Sequence, residues 1–535
     1  MSSPAPKSPE QNEKTKKYDR QLRLWGDHGQ KLLENSKICL INATALGTEI
    51  VKSLVLPGIG SFTIVDGDKI SEEDIGSNFF LEKESLNSSR AQIATQCLLE
   101  LNPDVRGDYI DESVEHVISN TQNFFKNFDV VIATALPEKT LIQLSKHLWD
   151  IDVPLIVCRS VGFIGYIRLQ VKEHTVIEAH PDSESPDLRL STPWPTLKQY
   201  LDSINIEQLD QKEKSHVPPL AILHYYLNKY RNEHNGQIPQ KREDKEILKQ
   251  MIRDSGHSEE GNNRFVLEEN FEQAIHYANS CITPRSIPEH VKVILDDDCC
   301  INLKQHSSPF WIMCAALREH VQAEGELPLK GTLPDMAADT MSYVTLQNIY
   351  RKQAEHHIES VYRRVQQIVR SLGLPQDYIA EDEVKYFCKH SSEIHVIRGS
   401  CVANEYHKAN PDLTFDLEDP DSLIFYYVIL RGLERFISEY NAYPGQLDDQ
   451  VEPDILKLKA IIGKLLNEWG CSNILRDERV HEVCRYGGAE LHSVSAILGG
   501  CAAQEVIKVI THQYKPLNNT YIYDTITSTS ATFCL

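Results

Sequence analysis

KICLINATALGTEIVKSLVLPGIGSFTIVDGD, residues 37–68, is the stretch that decides the fold. An apolar run at 38–41 precedes a loop of small residues, and a helical pattern of apolar residues then leads to a glycine-bounded turn at 58–60. A second apolar run at 62–65 ends at Asp66. This order predicts the strand–loop–helix–strand unit that opens nucleotide-binding α/β folds.

The loop of this unit is wrong for phosphate binding. A phosphate-binding G-x-G-x-x-G turn uses glycines so that backbone N–H groups can reach the phosphates. The six positions here are Asn42, Ala43, Thr44, Ala45, Leu46 and Gly47. Only Gly47 survives, and glycine at that position mainly permits helix–strand packing. Asn42, Thr44 and Gly47 thus belong to a degenerate loop that is expected to bind no cofactor.

Asp66 has two interpretations. An acidic residue at this distance from the loop holds ribose hydroxyls in dinucleotide-binding folds. Asp66-Gly67-Asp68 is also good turn chemistry. Because the loop is degenerate, we favour the turn.

Further strands and helices follow this unit. Apolar runs at 129–134 and 154–158 are separated by a helical pattern at 141–149, which predicts a parallel sheet covered on both faces. Alternating residues at 159–170 predict an antiparallel extension of that sheet.

Long helical patterns take over from about residue 181. A helix rich in glycine and alanine at 490–511 and a strand at 520–524 then restore the α/β character. The order predicts a Rossmann-like α/β fold interrupted by a large all-α insertion. The expected divisions are a disordered tail at 1–17, a first α/β part at 18–175, the insertion at 176–480 and a return segment at 481–535.

Composition excludes several classes of protein. The chain has 535 residues and a net charge of −22, which argues against nucleic-acid binding because that requires clustered basic residues. The N-terminus lacks the apolar core of a secretory signal, and we expect no apolar stretch to approach the ~18 residues of a membrane span. The 13 cysteines are scattered without C-x-x-C spacing, so we expect a reducing compartment, the cytoplasm or nucleus, and no metal site.

Five motifs carry a resemblance to a known family. They are YDRQLRLWG (18–26), LVLPGIGSFTIVDGD (54–68), NGQIP (235–239), GTLPDMAADT (331–340) and ELHSVSAILGGCAAQEVIK (490–508). With these motifs the chain resembles the ubiquitin-activating and ubiquitin-like-protein-activating enzymes. Such enzymes pair two related adenylation halves of the ThiF type, one active and one inactive. The length and the helical insertion resemble the neddylation branch more than the shorter SUMO branch.

The departures from the family pattern indicate the inactive half. Active halves direct an arginine, a lysine and an Asp-Asn pair at ATP and magnesium. Here Phe79 stands at the arginine position, Ser88-Ser89-Arg90-Ala91 at the lysine position and Ala135-Leu136-Pro137-Glu138 at the Asp-Asn position. Adenylation needs cations or Mg²⁺ at the developing negative charge. The resemblance therefore implies that ATP and Mg²⁺ bind in the partner subunit's site and not in this chain.

Two residues bear on catalysis. Arg20 alone would be an ordinary exposed helix charge. In the family, however, the arginine of the YDRQ motif reaches the γ-phosphate in the partner's active site, and Arg20 matches it. A guanidinium is suited to that role because it is planar and permanently charged. The family's nucleophilic cysteine is followed directly by threonine, whereas Cys281-Ile282-Thr283 has its threonine one position too far. The thioester is therefore expected on the partner.

A further segment is a candidate interface. It is broken by glycine and proline and mixes apolar with acidic residues, and the resemblance implies that it contacts the partner. An ordinary surface loop is the equal alternative. The candidate residues are Gly331, Thr332, Leu333, Pro334, Asp335, Met336, Asp339, Tyr343 and Val344.

The resemblance implies a non-catalytic subunit. It would pair with a catalytic activating subunit and support ATP-dependent adenylation of a ubiquitin-like modifier of the neddylation pathway. The modifier would pass to the partner's cysteine and then to a conjugating enzyme, and whether this chain also contacts that enzyme stays open. Three alternatives remain at this point: a subunit for another modifier such as SUMO, a self-sufficient nucleotide-dependent enzyme, and an adaptor without contact to an ATP site.

Overall fold

The computed structural model describes most of the chain. The described residues are 15–121, 123–181, 186–260, 264–279, 282, 286–406, 413, 416–417, 419, 421–471 and 476–535. They fall into two compact units. The first is Met1–Val176 with Val396–Leu535, and the second is Ile177–His395.

The first unit is an α/β layer structure. Its helices are α1 (Asp19–Asn35), α2 (Ala45–Val55), α3 (Glu72–Ser77), α4 (Arg90–Leu99), α5 (Val114–Asn120) and α6 (Glu138–Asp150). Its strands in this part are β1 (Lys37–Ile41), β2 (Ser61–Val65), β3 (Arg106–Ile110), β4 (Val130–Thr134), β5 (Leu155–Val161), β6 (Ile164–Gln170) and β7 (His174–Val176).

The second unit is mostly helical. Its helices are α7 (Pro195–Asp202), α8 (Gln211–Lys214), α9 (Pro219–Glu233), α10 (Arg242–Ser255), α11 (Glu269–Tyr277), α12 (Glu289–Leu295), α13 (Asp298–Ile301), α14 (Pro309–Glu324), α15 (Thr340–Ser371) and α16 (Glu381–Lys389). It also carries a two-stranded antiparallel hairpin, β8 (His257–Glu260) and β9 (Arg264–Leu267). The hairpin corrects the expected all-α insertion, since its four-residue strands are too short to stand out by periodicity.

The chain then returns to the first unit through β10 (His395–Ile397). The remaining elements are α17 (Ile424–Tyr440), α18 (Val451–Glu468), α19 (Asp477–Arg485), α20 (His492–Thr511), β11 (Thr520–Asp524) and β12 (Thr529–Phe533).

One eight-stranded sheet organises the first unit. Its strand order is β12-β11-β6-β5-β4-β1-β2-β3. Strands β3, β2, β1, β4 and β5 run parallel, and β6, β11 and β12 continue the sheet antiparallel. Strands β4 and β5 are buried along their whole length, as expected for parallel strands covered on both faces. The Rossmann-like α/β fold and its antiparallel extension are thus confirmed.

The second unit ends well before the predicted end of the helical insertion. It closes at 395, whereas the insertion was expected to run to 480. Residues of α17, α18 and α19 share one hydrophobic core with residues of β1, β4 and β5. These three helices therefore cover the sheet, and helical periodicity alone could not have shown which layer they join.

Helix α20 is strongly apolar and mostly buried. By length and composition it could span a membrane, unlike the expectation that no stretch came near that length. Of its apolar 18-residue window 61% is buried inside the protein, and the helix packs on α2. At Gly499 a side chain would bring its Cβ within 2.8 Å of the Glu49 Cβ, so glycine permits this close helix contact. A core helix accounts for the apolar composition.

The predicted tail at 1–17 needs one correction. Residues 15–17 are helical, and the Lys17 ammonium donates to Asn102 Oδ1 at 2.6 Å and contacts Asp104 at 2.9 Å. These contacts fix the end of the tail on the first unit. Residues 1–14 lie outside the described residues.

Candidate functional site

The degenerate loop lies between the carboxyl ends of β1 and β4, where open α/β sheets bind ligands. Asn42 follows β1 with a φ of 64°, and its side-chain amide donates to the Thr134 carbonyl at 3.0 Å. The Thr134 hydroxyl donates back to the Asn42 carbonyl at 2.7 Å. Thr44 caps α2 by accepting from the Gly47 N–H at 3.2 Å. The loop is tied to the next strand by its own side chains.

Asp66 has no free acceptor for a ribose. Its carboxylate is buried and accepts from the Ala43 N–H at 2.8 Å and the Asp68 N–H at 2.9 Å. Both of its oxygens also accept from the Arg90 guanidinium, at 2.7 and 3.2 Å. Asp66 is therefore more than the turn former that we favoured, because it anchors the degenerate loop to α4.

Arg90 is the hub of this ion cluster. Besides Asp66 it contacts Asp68 Oδ2 at 2.9 Å and Asp74 Oδ1 at 3.1 Å. Burial alone would lower the pKa of Arg90, but the surrounding carboxylates, Asp66 foremost, raise it above its ordinary value. The sequence position that lost the family's phosphate lysine thus holds a cation whose charge is already neutralised.

Glu490 fills the phosphate position at the start of α2. Its Oε2 accepts from the Leu46 N–H at 3.1 Å, and the Thr44 hydroxyl and Ala45 N–H also donate to this carboxyl group. The first N–H groups of a helix are where a phosphate would bind. The residue keeps part of its surface exposed, yet burial of the carboxyl group raises the pKa of Glu490 to about 7, against the opposing effect of these hydrogen bonds and Arg90.

The other positions that differ from the pattern of active halves lie at the same end of the sheet. Asn78 Nδ2 donates to the Ala43 carbonyl at 3.2 Å, while its neighbour Phe79 is 71% exposed and lies against His492 with ring centroids 6.1 Å apart. The Leu136 carbonyl accepts from Arg159 at 2.6 Å. A nucleotide does not fit these residues, because the helix N-terminus and the acidic residue are already engaged from within. Among the described residues no cluster suited to a metal ion was found.

The YDRQ motif divides into anchors and one projecting side chain. Tyr18 is buried against the turn at Gly58, where a Cβ would come within 2.6 Å of the tyrosine hydroxyl. Gln21 Nε2 donates to the Pro57 carbonyl at 3.0 Å. Arg20 is exposed on α1, and within the described ranges no side chain pairs with it. Its neighbour Arg23 forms an ion pair with Asp19 at 3.1 Å.

The candidate interface segment is partly built into the second unit. Leu333 and Met336 pack on its core, and the Asp335 carboxylate faces the Tyr343 hydroxyl at 3.5 Å. Asp339 caps α15 by accepting from the Ser342 N–H at 2.9 Å, so reversing its charge would disturb a helix end as well as a surface. Gly331 has a φ of 77°. Tyr343 and Val344 lie within α15, together with the exposed Met341.

Most cysteines in the described part of the chain are buried. None of the twelve there forms a disulfide with another. The thiols of Cys39, Cys158 and Cys388 are buried, and burial raises the pKa of each. Cys281, the cysteine with the displaced threonine, lies outside the described residues.

Sequence reasoning missed the residues that close the loop. Glu490 is separated from Leu46 by 444 positions. Arg90 was noted only as part of the stretch that lacks the family's lysine. The signal available was the ELHSVSAILGG motif itself, which begins at Glu490. Nothing in a single sequence says that its first residue meets the loop.

Comparisons with known proteins agree with the fold. A model of the ThiF family matches residues 18–535. The Nedd8-activating enzyme E1 regulatory subunit of Drosophila melanogaster is 48% identical over 541 residues, covering 100% of both chains. The NEDD8-activating enzyme E1 regulatory subunits of Gallus gallus and Danio rerio are 45% and 46% identical, each over 98% of this chain and 98% and 99% of their own lengths. The chain belongs to the ThiF family and, within it, to the family of NEDD8-activating enzyme E1 regulatory subunits.

Proposed function

We propose that the chain is the non-catalytic regulatory subunit of a heterodimeric enzyme that activates NEDD8. Its catalytic partner binds ATP and Mg²⁺, adenylates the C-terminus of the modifier and receives it on a cysteine as a thioester. The modifier then moves to a conjugating enzyme. The full-length relatives favour NEDD8 over SUMO, since they carry the former in their names.

The observation that carries the non-catalytic assignment is the internally filled loop. Glu490 occupies the helix N-terminus that would hold phosphate, and Arg90 engages the acid that would hold ribose. A nucleotide would have to displace both and would gain no free cation in return. This supports adenylation in the partner and argues against a self-sufficient enzyme.

Arg20 supplies the proposed link to the partner's chemistry. Tyr18 and Gln21 fix the start of α1 on the turn at 57–58, while the Arg20 guanidinium stays exposed. An arginine that reaches phosphate in a neighbouring site stabilises charge that develops during transfer. An adaptor without ATP-site contact would have no such use for Arg20.

Two surfaces of this chain are proposed to bind the catalytic subunit. The outward side of the first half of α20 carries the small residues Ser493, Ala496 and Gly500 around the half-exposed Ile497. Phe79 lies against the first residue of the helix, His492. Small residues on a helix allow close approach of a neighbouring element, and an exposed apolar patch marks an interaction site. The second surface is the candidate interface segment with Met341, which is 77% exposed.

The complex is proposed to act in the cytoplasm, the nucleus or both.

Reconstitution tests the function. The chain is expressed alone and with the catalytic subunit of a NEDD8-activating enzyme, and ATP–pyrophosphate exchange is measured with NEDD8, SUMO and ubiquitin. We expect no exchange and no calorimetric ATP binding from the chain alone, and exchange with NEDD8 from the pair. Exchange by the isolated chain would overturn the non-catalytic role, and a pair that prefers SUMO would overturn the modifier.

Ile497→Asp tests the first surface by co-purification with the catalytic subunit. Its matched control is Ile247→Asp, because Ile247 is 47% exposed on α10 and Ile497 is 50% exposed on α20. We expect only Ile497→Asp to weaken assembly. Equal co-purification of the two variants would exclude α20 as the interface.

A further inference from the structure

Helix α1 is kinked at Gly26. Residues 18–25, which we call the arm, carry Arg20 and precede the kink. Gly26 adopts a φ of 65° and a ψ of −179°, a conformation that is essentially restricted to glycine. A Cβ at this position would meet no atom within 4 Å, so the backbone conformation and not a lack of space requires glycine. The last residue of the YDRQLRLWG motif therefore sets the direction of the arm.

One buried amide ties the arm to the part of α1 that follows the kink. Gln30 is 5% exposed, and its Oε1 accepts from the Trp25 indole N–H at 3.1 Å and from Gln21 Nε2 at 3.3 Å. Its Nε2 donates to the Pro57 carbonyl at 3.1 Å, and this carbonyl also accepts from Gln21 at 3.0 Å. Moving the arm would leave buried polar groups unpaired, which is costly. The arm is therefore held in one position relative to the rest of α1.

A second buried amide ties the arm to helix α20. Gln513 lies two residues beyond the end of α20, is 1% exposed, and donates from Nε2 to the Trp25 carbonyl at 3.0 Å. Trp25 is the last residue of the arm and shares one hydrophobic core with Val506 and Ile510 of α20. At Gly29 a Cβ would lie 2.8 Å from the Trp25 Cβ and 3.2 Å from Gln513 Nε2, so glycine permits this packing. The direction of the arm is thus fixed relative to α20.

The kink controls where Arg20 lies. Arg20 precedes Gly26 by six positions, which corresponds to ~9 Å along an α-helix. Over that length, turning the arm by about 10° at the kink would move the Arg20 backbone by ~1.5 Å. A misplacement of ~1 Å can slow a transfer reaction about 100-fold, because a stabilising group must meet charge where it develops. Residues that hold the kink can therefore control a reaction that they do not touch.

We propose that Gly26, Gln30 and Gln513 are positioning residues for adenylation in the partner's site. Their role rests on the proposed function, since they act through Arg20. The two amides are buried and reach the partner's site only through the arm. Because they hold the arm against α20, the helix proposed to contact the catalytic subunit, assembly of the pair brings Arg20 to the ATP phosphates in a fixed direction.

The test measures ATP–pyrophosphate exchange by the reconstituted pair with Gly26→Ala, Gln30→Met or Gln513→Met. Each variant should lower kcat about tenfold and leave the KM for ATP within about twofold, because a misdirected arginine loses an interaction made in the transition state. In an Arg20→Ala background the same changes should lower kcat by less than about twofold, since the arm then carries nothing to direct. A merely structural role would lower kcat equally in both backgrounds.

Two control variants apply the same changes in the second unit. Gly373→Ala alters a glycine with a φ of 70° and no atom within 4 Å of a Cβ, and Gln366→Met removes the amide of a glutamine that is 9% exposed. Both should leave exchange within about twofold. Co-purification and thermal unfolding are measured on every variant, and each arm variant that assembles normally tests the role by itself.

The outcomes separate this role from that of Arg20. Normal exchange by the arm variants, with slow exchange by Arg20→Ala, would overturn the positioning role and leave the proposed function intact. Normal exchange by Arg20→Ala would overturn both. Full additivity with Arg20→Ala, or failure of all three arm variants to assemble, would show that the amides and Gly26 serve only the fold, which would also overturn the positioning role.

Discussion

The loop at 42–47 and the exposed Arg20 are opposite outcomes for charge in the same α/β unit. Around the loop, the charged groups that close it have internal partners: Arg90 contacts Asp66, Asp68 and Asp74, and Glu490 accepts from the start of α2. Arg20 has no partner among the described residues, although Arg23 three positions later has one. A charge that serves only the fold is neutralised within the fold, whereas an exposed unpaired arginine is free to serve another molecule.

The largest effect is expected at Arg90. Arg90→Ala leaves the buried Asp66 carboxylate uncompensated, which should lower the free energy of unfolding of the first unit by ~3–5 kcal/mol. Denaturant titrations followed by amide exchange in β1 and β2 measure it. Arg106→Ala is the control, since Arg106 is exposed on β3. An exposed ion pair contributes at most ~1 kcal/mol to the free energy of unfolding. A loss below that value would mean that the cluster does not stabilise the fold.

Arg20 is expected to change catalysis and not stability. Arg20→Ala should slow ATP–pyrophosphate exchange by the reconstituted pair about 100-fold, the lower range for removing a group that stabilises transferring charge. Co-purification and thermal unfolding should stay unchanged. Arg23→Ala removes the same charge from the same helix and should leave exchange within about twofold, because its partner Asp19 is local. Equal exchange by both variants would support the adaptor without ATP-site contact.

The sequence predicts those parts of the fold that depend on local pattern. Continuous apolar runs such as those of β4 and β5 predict a parallel sheet, since both faces of such strands are covered. Helices α14 and α15 follow from periodicity and from proline or a capping aspartate at their starts. Periodicity says nothing about what a helix packs against, which is why α17, α18 and the start of α19 were assigned to the insertion instead of the sheet layer.

The site divides in the same way. The sequence of the loop shows that the phosphate-binding residues are lost, because glycine and lysine have position-specific roles there. The sequence does not show that Glu490 replaces them, since Glu490 follows Leu46 only after the whole second unit. The exposed state of Arg20 also depends on how Tyr18 and Gln21 are anchored, which the motif alone does not state.

Glu490 should make the first unit less stable as pH rises. Its folded-state pKa of about 7 lies above the ordinary glutamate value, so its contribution is complete below pH ~4.3 and is lost as pH rises through 7. Glu490→Gln keeps an acceptor for the Leu46 N–H but does not titrate. Between pH 5 and 8 wild type should lose ~2 kcal/mol relative to this variant, allowing for partial exposure. Parallel pH profiles would contradict the buried carboxyl.

The second unit should show the opposite pH dependence at a smaller size. His320 and His357 lie with ring centroids 5.3 Å apart, and burial, assisted by Arg364 and Arg189 respectively, lowers the pKa of each to about 4. The unfolded chain then binds more protons below pH ~6.5, so stability falls as pH falls. His320→Leu removes one of these groups and should gain ~1 kcal/mol over wild type between pH 7.5 and 5.5. Amide exchange in α14 and α15 measures this gain, with the exposed His306→Leu as control. If His320→Leu gained nothing on acidification, the imidazole would be protonated in the folded chain, and the contrast with Glu490 would vanish.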